Sequence, residues 1–266
     1  MGNLDGKVAI VSGAAQGLGE AYARKLAENG ATVVAFDVQD SIGDVAASIA
    51  ADTGQTVKGV VADVSQQADC QRIVDDTVSE FGGFDILINN AGTWRETPVD
   101  SSWEQALEDW DYIMDTNFKG VLMLSRIAIP KLQERGGGDI VNISTYYVLP
   151  ARSEGTNQPT TDLYNASKWA LNGFTDAWSK HLAKDNIRVN GMCMGATDTP
   201  MLRGLFPDNQ LPPEMAEVVM QPADIAQQMI DLLADGRSGE NIGAWVGYPI
   251  EIPPPIPTTS YSLAPG

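Results

Sequence analysis

The sequence predicts an α/β fold, namely a single domain with a doubly wound parallel sheet flanked by helices. Short β-branched runs alternate with longer amphipathic stretches from the N-terminus onward. The short runs are almost continuously apolar, which is typical of strands covered on both faces. Stretches this long between strands indicate right-handed crossovers and therefore parallel pairing. No internal repeat or linker divides residues 1–266, so we expect one domain.

The elements can be assigned in chain order. Strands are predicted at residues 8–11, 32–36, 57–62, 86–88, 140–143 and 188–192. Helical periodicity is found at residues 18–29, 73–81, 109–129, 164–183 and 222–234. Gly30 is expected to end the first helix, Pro130 to stop the third and Pro222 to open the last. Residues 250–266 begin with a proline-rich run and are predicted to form an irregular tail.

The composition and net charge of the chain disfavour several classes of binding partner. The chain has 35 acidic and 17 basic residues and a formal charge of −18, which would repel nucleic acid and anionic membrane surfaces. The acidic clusters are interpreted as solvated helix faces, and no metal site is predicted. Two scattered cysteines indicate buried, reduced thiols. With no apolar signal segment and no run of about 20 apolar residues, we expect a cytoplasmic protein.

A glycine-rich turn joins the first predicted strand to the first helix. Residues 12–19 read Ser-Gly-Ala-Ala-Gln-Gly-Leu-Gly. Unpaired amides at a helix N-terminus attract phosphate, and glycine lets a pyrophosphate approach because it has no Cβ. The turn therefore predicts a Rossmann-like dinucleotide site formed by Gly13, Gln16, Gly17, Leu18 and Gly19.

One acidic residue predicts which dinucleotide binds. Asp37 lies 18 residues after Gly19, at the end of the second predicted strand. A carboxylate there would accept hydrogen bonds from the adenosine ribose hydroxyls and would repel a 2′-phosphate. Neither the turn nor Val38 provides an arginine or lysine for such a phosphate. The predicted cofactor is therefore NAD rather than NADP.

A second motif predicts acid–base chemistry. Tyr164 and Lys168 are four residues apart at the start of a predicted helix, so they share one face. A free tyrosine has a pKa near ~10 and is a poor base at neutral pH. A neighbouring ammonium and a positively charged nicotinamide would both favour the phenolate and lower that pKa. The pair thus suits a general acid/base that works near neutrality.

Taken together, these motifs resemble the short-chain dehydrogenase/reductase family over nearly the whole chain. Further matches are Asp63 with Val64, the run Asn89-Asn90-Ala91-Gly92, and Asn117. The resemblance implies that the first pair lies at the adenine, that Asn90, Ala91 and Gly92 lie near the nicotinamide ribose, and that Asn117 supports a proton relay through Lys168. The run 195–199 also matches, which implies nicotinamide-side contacts from Gly195, Thr197 and Thr199.

Three departures from the family pattern concern the site. The family's catalytic serine aligns with Thr145, and Ser144 is the fallback hydroxyl donor. About six extra residues appear inserted within residues 153–162, which we expect to form a loop beside the substrate mouth. Met194 replaces the usual proline before Gly195, and Ala244-Trp245-Val246-Gly247-Tyr248-Pro249 stands where Val-Asp-Gly-Gly is common, which puts the usual oligomer contacts in doubt.

The resemblance implies that Tyr164 exchanges a proton with the substrate hydroxyl while hydride passes between the carbinol carbon and the nicotinamide. Bulky apolar residues predict a pocket for a hydrophobic secondary alcohol or ketone, with candidate contacts Trp94, Tyr147, Met194, Leu202 and Phe206. Residues 200–220 are expected to form the substrate lid. A homodimer or homotetramer is implied, built on the two long helices that begin near residues 109 and 164.

Two alternatives remain at this stage. The first is a dehydratase- or epimerase-like enzyme that retains the cofactor. The second is a non-catalytic NAD(H) sensor or scaffold, which threonine at the serine position would favour.

Overall fold

The fold is seen in a computed structural model that describes residues 4–149 and 159–255. Its centre is a seven-stranded sheet in the order β3-β2-β1-β4-β5-β6-β7. Every strand is parallel to its neighbours, and the strands are β1 Val8–Ser12, β2 Thr32–Asp37, β3 Val57–Val61, β4 Ile86–Asn89, β5 Gly138–Thr145, β6 Ile187–Met194 and β7 Asn241–Ala244. The predicted parallel α/β fold is confirmed.

Helices cover both faces of this sheet. The described helices are α1 Gly17–Glu28, α2 Ile42–Thr53, α3 Gln67–Phe81, α4 Trp103–Met114, α5 Val121–Arg135, α6 Asp162–Leu182, α7 Pro200–Arg203, α8 Pro213–Ala216 and α9 Pro222–Asp235. Alternate side chains of β1 enter two separate cores, with Val11 on the side of α1, α2 and α9 and Ile10 on the side of α3, α5 and α6. The doubly wound prediction is therefore confirmed.

Two elements were absent from the sequence prediction. Helix α2 is rich in small residues and buries only Ile42, Ala46 and Ile49, so its apolar face is too narrow to give a strong periodic signal. Strand β7 is the four-residue segment Asn-Ile-Gly-Ala at the sheet edge, and neither asparagine nor glycine favours a strand.

The third predicted helix has different ends from those expected. It begins at Trp103 rather than residue 109, passes through a π-helical turn at Asp115–Gly120 and continues to Arg135. Pro130 therefore does not stop it. Pro130 and Arg126 are both exposed, so water can satisfy the Arg126 carbonyl that the proline ring leaves without a helical partner.

Several predictions from composition can be checked against the fold. Cys70 and Cys193 are free and buried, as predicted. No helix in the described ranges is both long and apolar enough to span a membrane. Within residues 4–149 and 159–255, no three His, Cys, Asp or Glu side chains converge as metal ligands would.

The topology collects the predicted site residues at one edge of the sheet. The strand order reverses direction between β1 and β4, and such a switch point opens a crevice at the carboxyl ends of the strands. Asp37 ends β2 and Thr145 ends β5, while Gly13 and Gly195 directly follow β1 and β6. This edge is where the candidate site is built.

Candidate active site

The turn between β1 and α1 depends on two glycines for its shape. Gly13 has a φ of +66°, and a Cβ there would lie 2.7 Å from the Ala91 Cα. A Cβ on Gly19 would collide with the carbonyl oxygen of Gly13. Gln16 occupies the N-cap position of α1 but makes no side-chain capping bond. The first amides of α1 therefore keep an open, anion-attracting approach.

Asn90 holds this turn in place. Its Nδ2 donates to the carbonyl oxygens of Ser12 and Gly13, both at 2.9 Å. In return, the backbone N–H groups of Asn90 and Ala91 donate to the Ser12 hydroxyl at 3.0 Å. Ser12 was not singled out in the sequence, although it stands inside the quoted motif. The two segments predicted to bind the cofactor are thus joined into one rigid unit.

Asp37 adjoins the same turn. It is 7% exposed, and its Oδ2 accepts a hydrogen bond from the Ala15 N–H at 3.0 Å. Its Oδ1 accepts one from the Gln39 N–H, also at 3.0 Å. The carboxylate is therefore held beside the N-terminus of α1, while the neighbouring Val38 is 61% exposed.

Asp63 and Val64 form the turn after β3. The Asp63 carboxylate accepts the Ser65 N–H at 2.8 Å, which fixes the turn. Val64 is buried and packs against Gly120, where a Cβ would lie 2.9 Å from its methyl group. This contact links the predicted adenine end of the site to the π-helical turn that carries Asn117.

Asn117 is fully buried in that π-helical turn, a distortion that often marks functional sites. Its Oδ1 accepts the Thr93 N–H at 2.7 Å, and its Nδ2 donates to the Thr93 carbonyl at 2.9 Å. The Nδ2 also donates to the Ser167 hydroxyl at 3.2 Å. Asn117 therefore ties the loop after β4 to helix α6.

Gly92 marks where Asn117 and Lys168 converge. A Cβ on Gly92 would lie 3.4 Å from the Asn117 Oδ1 and 3.5 Å from the Lys168 Nζ. The Lys168 Nζ donates to the Ile143 carbonyl at 2.9 Å, and the side chain is nearly buried. Because burial disfavours its charged form, the pKa of Lys168 is lowered to about 8.

Tyr164 lies in the first turn of α6, with its ring centroid 5.8 Å from the Lys168 Nζ. In the polypeptide itself, burial raises the pKa of Tyr164 above its ordinary value, opposite to the predicted direction. A hydrogen bond with Thr145 acts the other way and lowers this pKa. Burial is the largest of these effects, and the neighbouring Tyr147 also raises this pKa.

The two candidate hydroxyl donors occupy different environments. Thr145 adjoins Tyr164, and its hydroxyl accepts the Tyr147 N–H at 3.5 Å. Ser144, the preceding residue of β5, donates to the Lys168 carbonyl at 3.4 Å and adjoins Cys193. Successive strand residues point to opposite faces, so only one of the two meets Tyr164. The geometry favours Thr145.

The segment after β6 passes over the glycine turn. The Gly195 N–H donates to the Ala244 carbonyl at 2.9 Å, and the Thr197 hydroxyl donates to the Gly195 carbonyl at 3.1 Å. Thr199 caps α7 by accepting the Leu202 N–H at 3.3 Å. A Cβ on Gly17 would lie 3.4 Å from the Thr199 side chain, so the segment closes against the predicted phosphate loop.

Of the predicted substrate residues, Trp94, Tyr147, Leu202 and Phe206 are half-buried. Met194 differs, because its side chain is buried in the core on the side of α1 and α9. It pairs in register with Thr145 and Ala244. Met194 thus packs in the core at the end of β6, and its contact with the substrate stays a prediction.

Three predicted segments surround this edge. Residues 200–220 contain the short helices α7 and α8 and are mostly exposed, and their action as a lid stays a prediction. Residues 153–158 of the proposed insertion and 256–266 of the tail lie outside the described residues.

The described parts of the insertion and the tail are each held by a hydrogen bond. The Thr97 N–H donates to the Thr160 carbonyl at 2.6 Å, and the Gln228 side chain donates to the Glu251 carbonyl at 3.0 Å. These contacts anchor the loop before α6 and the described part of the tail.

A family model described as short chain dehydrogenase matches residues 7–210. The chain is 32% identical over 247 residues to a 3-oxoacyl-(acyl-carrier-protein) reductase of Thermotoga maritima, covering 90% of this chain and 96% of that protein. It is 33% identical over 241 residues to a 3-alpha-(or 20-beta)-hydroxysteroid dehydrogenase of Mycobacterium bovis, covering 89% and 86%.

Solved structures agree with this assignment. A Sinorhizobium meliloti protein superposes with a TM-score of 0.80 at 30% identity, covering 91% of this chain and 95% of that one. The 3-ketoacyl-(acyl-carrier-protein) reductase of Brucella melitensis, complexed with NADH, gives a TM-score of 0.76 at 29% identity, covering 92% and 98%. The chain belongs to the short-chain dehydrogenase family of oxidoreductases.

Proposed function

We propose that the protein is an NAD-dependent oxidoreductase that interconverts a hydrophobic secondary alcohol and its ketone. One observation carries this proposal: the Thr145 hydroxyl adjoins the Tyr164 phenol, with Lys168 one helical turn away, at the sheet edge that holds the glycine turn. An acid/base, a hydroxyl donor and a phosphate loop are the parts that carbinol oxidation requires.

The residues present fit a nicotinamide dinucleotide. Gly13 and Gly19 let the turn fold tightly against its own backbone and Ala91, where a Cβ would collide, and Gln16 places no side-chain cap on the first amides of α1. These groups would hold the pyrophosphate, while the Asp37 carboxylate would accept hydrogen bonds from the adenosine ribose hydroxyls and the Lys168 ammonium would donate to the nicotinamide ribose hydroxyls. The nicotinamide ring, when bound, supplies the hydride acceptor or donor.

The protein residues then have distinct tasks in alcohol oxidation. Tyr164 takes the hydroxyl proton, and Thr145 donates a hydrogen bond to the substrate oxygen as that oxygen becomes a carbonyl. Asn117 and Lys168, which converge beside Gly92, pass the proton onward and hold the ribose. In ketone reduction the same residues act in reverse.

The named relatives support the substrate class. The printed names of two relatives describe a 3-oxoacyl reductase and a hydroxysteroid dehydrogenase, both of which handle a secondary alcohol or its ketone. In this chain the half-buried rings of Trp94, Tyr147 and Phe206 favour an apolar substrate.

The test is NADH formation, followed by its absorbance, across a panel of apolar secondary alcohols. Turnover of at least one panel member is expected. Tight NADH binding without any turnover would instead support the sensor, and release of water or inversion of a carbinol without net NADH formation would support the dehydratase or epimerase. Threonine at the serine position is the feature that favours the sensor, but the Thr145 hydroxyl adjoins Tyr164 and can still donate a hydrogen bond there, which supports the enzyme.

The preference for NAD can be tested at Asp37. We expect kcat/KM with NAD⁺ to exceed that with NADP⁺ by about a hundredfold, because the Asp37 carboxylate repels a 2′-phosphate. Asp37→Asn combined with Val38→Arg should raise kcat/KM for NADP⁺ by about tenfold or more, since the asparagine oxygen can still accept the Ala15 N–H while the added guanidinium binds phosphate. Asp40→Asn, which removes an exposed carboxylate three residues away, is the control and should leave the ratio unchanged.

We also propose that the chain forms a homodimer or homotetramer through α4 and α6. Trp103, Leu107 and Trp110 follow one another at i, i+4 and i+7 on α4 and are 73%, 49% and 49% exposed. Trp169 on α6 is 41% exposed. A set of large exposed apolar side chains on packed helices is typical of a protein interface.

Trp110→Asp should therefore shift the protein to a monomer, because the carboxylate would be buried unpaired in the interface. Sedimentation velocity checks this, with Val61→Asp on the edge strand β3 as the control. A wild-type protein that sediments as a monomer at all concentrations would contradict the proposal.

We also propose a cytoplasmic location. The free, buried thiols Cys70 and Cys193 support a reducing environment of this kind.

A further inference from the structure

Three aromatic rings are packed together directly after the catalytic strand β5. The ring centroids of Tyr146 and Tyr147 are 4.6 Å apart and tilted by 47°. The Tyr146 ring meets Trp245 edge-on, at 5.5 Å and 88°. We call Tyr146, Tyr147 and Trp245 the aromatic wall. Trp245 belongs to the segment that follows β7, far away in the sequence from the residues of the active site.

The backbone that carries the two tyrosines is fixed at both ends. Tyr146 and Tyr147 lie in a 3₁₀ turn, Tyr146–Val148, which begins one residue after Thr145. The Tyr147 N–H donates to the Thr145 hydroxyl, and Asn172 of α6 donates to the Val148 carbonyl at 2.9 Å. Since Val148 is fully buried, the rings are preorganised rather than loosely attached.

Two glycines leave room for the rings because they have no Cβ. A Cβ on Gly243 would lie 2.9 Å from the indole of Trp245 and 2.7 Å from Leu149, so the indole folds back over β7 at this point. A Cβ on Gly195 would lie 3.4 Å from the Tyr146 ring. The aromatic wall thus spans the space from Thr145 to the segment predicted to contact the nicotinamide.

The wall offers ring faces and edges but no charge. Among residues 4–149 and 159–255, the arginines in the segments around the wall are Arg95 and Arg203, which are paired with Asp109 and Asp198 respectively. An anionic substrate group would therefore find these cations already occupied, whereas an aromatic ring gains stacked or edge-to-face contacts beyond those of an alkyl ring of the same size.

We propose that the aromatic wall determines specificity, and that the substrate is an uncharged secondary alcohol or ketone with an aromatic ring next to the reacting carbon. This inference rests on the proposed redox function for its meaning in catalysis. The proposal gives Trp245 a role in substrate selection, although this residue is far in sequence from the glycine turn and from the Tyr164–Lys168 pair.

The test compares two probes with the same carbon skeleton, 1-phenylethanol and 1-cyclohexylethanol. With NAD⁺, the wild type should favour 1-phenylethanol by about two- to tenfold in kcat/KM, the range expected for one favourable aromatic contact. Trp245→Leu should bring the ratio close to one, mainly by raising KM for the phenyl substrate. Trp245→Phe should keep most of the preference. Tyr248→Leu, which removes an exposed aromatic side chain three residues farther along, is the matched control.

A second measurement separates this inference from the proposed function. Calorimetric titration of acetophenone and cyclohexyl methyl ketone into the enzyme saturated with NAD⁺ compares affinities without turnover. Equal affinities for the two ketones, or an unchanged preference in Trp245→Leu, would overturn the inference even if alcohols are oxidised. If no alcohol is oxidised, the redox proposal fails while the ketone affinities still decide the role of the wall.

Discussion

Tyr164→Phe should lower kcat for alcohol oxidation by about 10²- to 10⁴-fold, the range that a positioned general acid/base contributes. The phenol is the group that exchanges a proton with the substrate, and the neighbouring Thr145 hydroxyl cannot replace it as a base near neutral pH. The affinity for NADH should change by no more than about twofold, because the glycine turn and Asp37 do not contact the phenol. Stopped-flow kinetics and fluorescence titration with NADH measure the two quantities.

Tyr22→Phe is a suitable control, since it makes the same chemical change at a tyrosine in the core. The Tyr22 hydroxyl is buried in α1 and has no hydrogen-bond partner among the described residues, so its removal should leave kcat unchanged. Retention of activity in Tyr164→Phe would exclude the proposed proton transfer. Loss of both activity and NADH binding would instead indicate that the change disturbs the fold of the site.

The sequence was sufficient for the fold where an element has a strong periodic or apolar pattern. The strands β1, β2 and β4 are continuous apolar runs buried on both faces, and all were predicted within one or two residues of their ends. The periodic pattern is too weak to predict α2, because that helix buries only a narrow face. Strand β7 has no pattern of its own, because its residues have low strand preference and it is ordered by pairing with β6. At Pro130, tertiary packing and solvent access override a local helix breaker.

The candidate site shows a similar division. Tyr164, Lys168 and Asp37 could be singled out because their chemistry depends on spacing within a helix or on position at the end of a strand, whereas Asn117 came from the family resemblance. The pKa of Tyr164 in the polypeptide alone is shifted opposite to the direction predicted with the cofactor bound, because burial, which no local pattern reports, raises it. Trp245 could not be found because its contact with Tyr146 joins two strands' ends that are about 100 residues apart in the chain.

The choice between Thr145 and Ser144 was left open by the sequence, and a pair of variants decides it. Thr145→Val removes the hydroxyl but keeps the branched shape, so we expect kcat to fall by about 10²- to 10³-fold, as when one donor to a reacting oxygen is lost. Ser144→Ala should lower kcat by no more than about threefold, because its hydroxyl makes only a long, 3.4 Å bond to the Lys168 carbonyl. Thr145→Ser should restore most of the activity, since it returns the hydroxyl.

The pH profile adds a result that packing damage alone would not produce. In the free enzyme, Thr145 lowers the pKa of Tyr164, so a variant without that hydroxyl should have a higher tyrosine pKa. Oxidation needs the phenolate, and kcat/KM, which reports the free enzyme, rises as pH passes through this pKa. The rise should therefore move to higher pH in Thr145→Val and stay in place in Ser144→Ala. If Ser144→Ala shows the larger loss and the shifted profile, then Ser144 is the donor, and the bond between Thr145 and Tyr164 is structural.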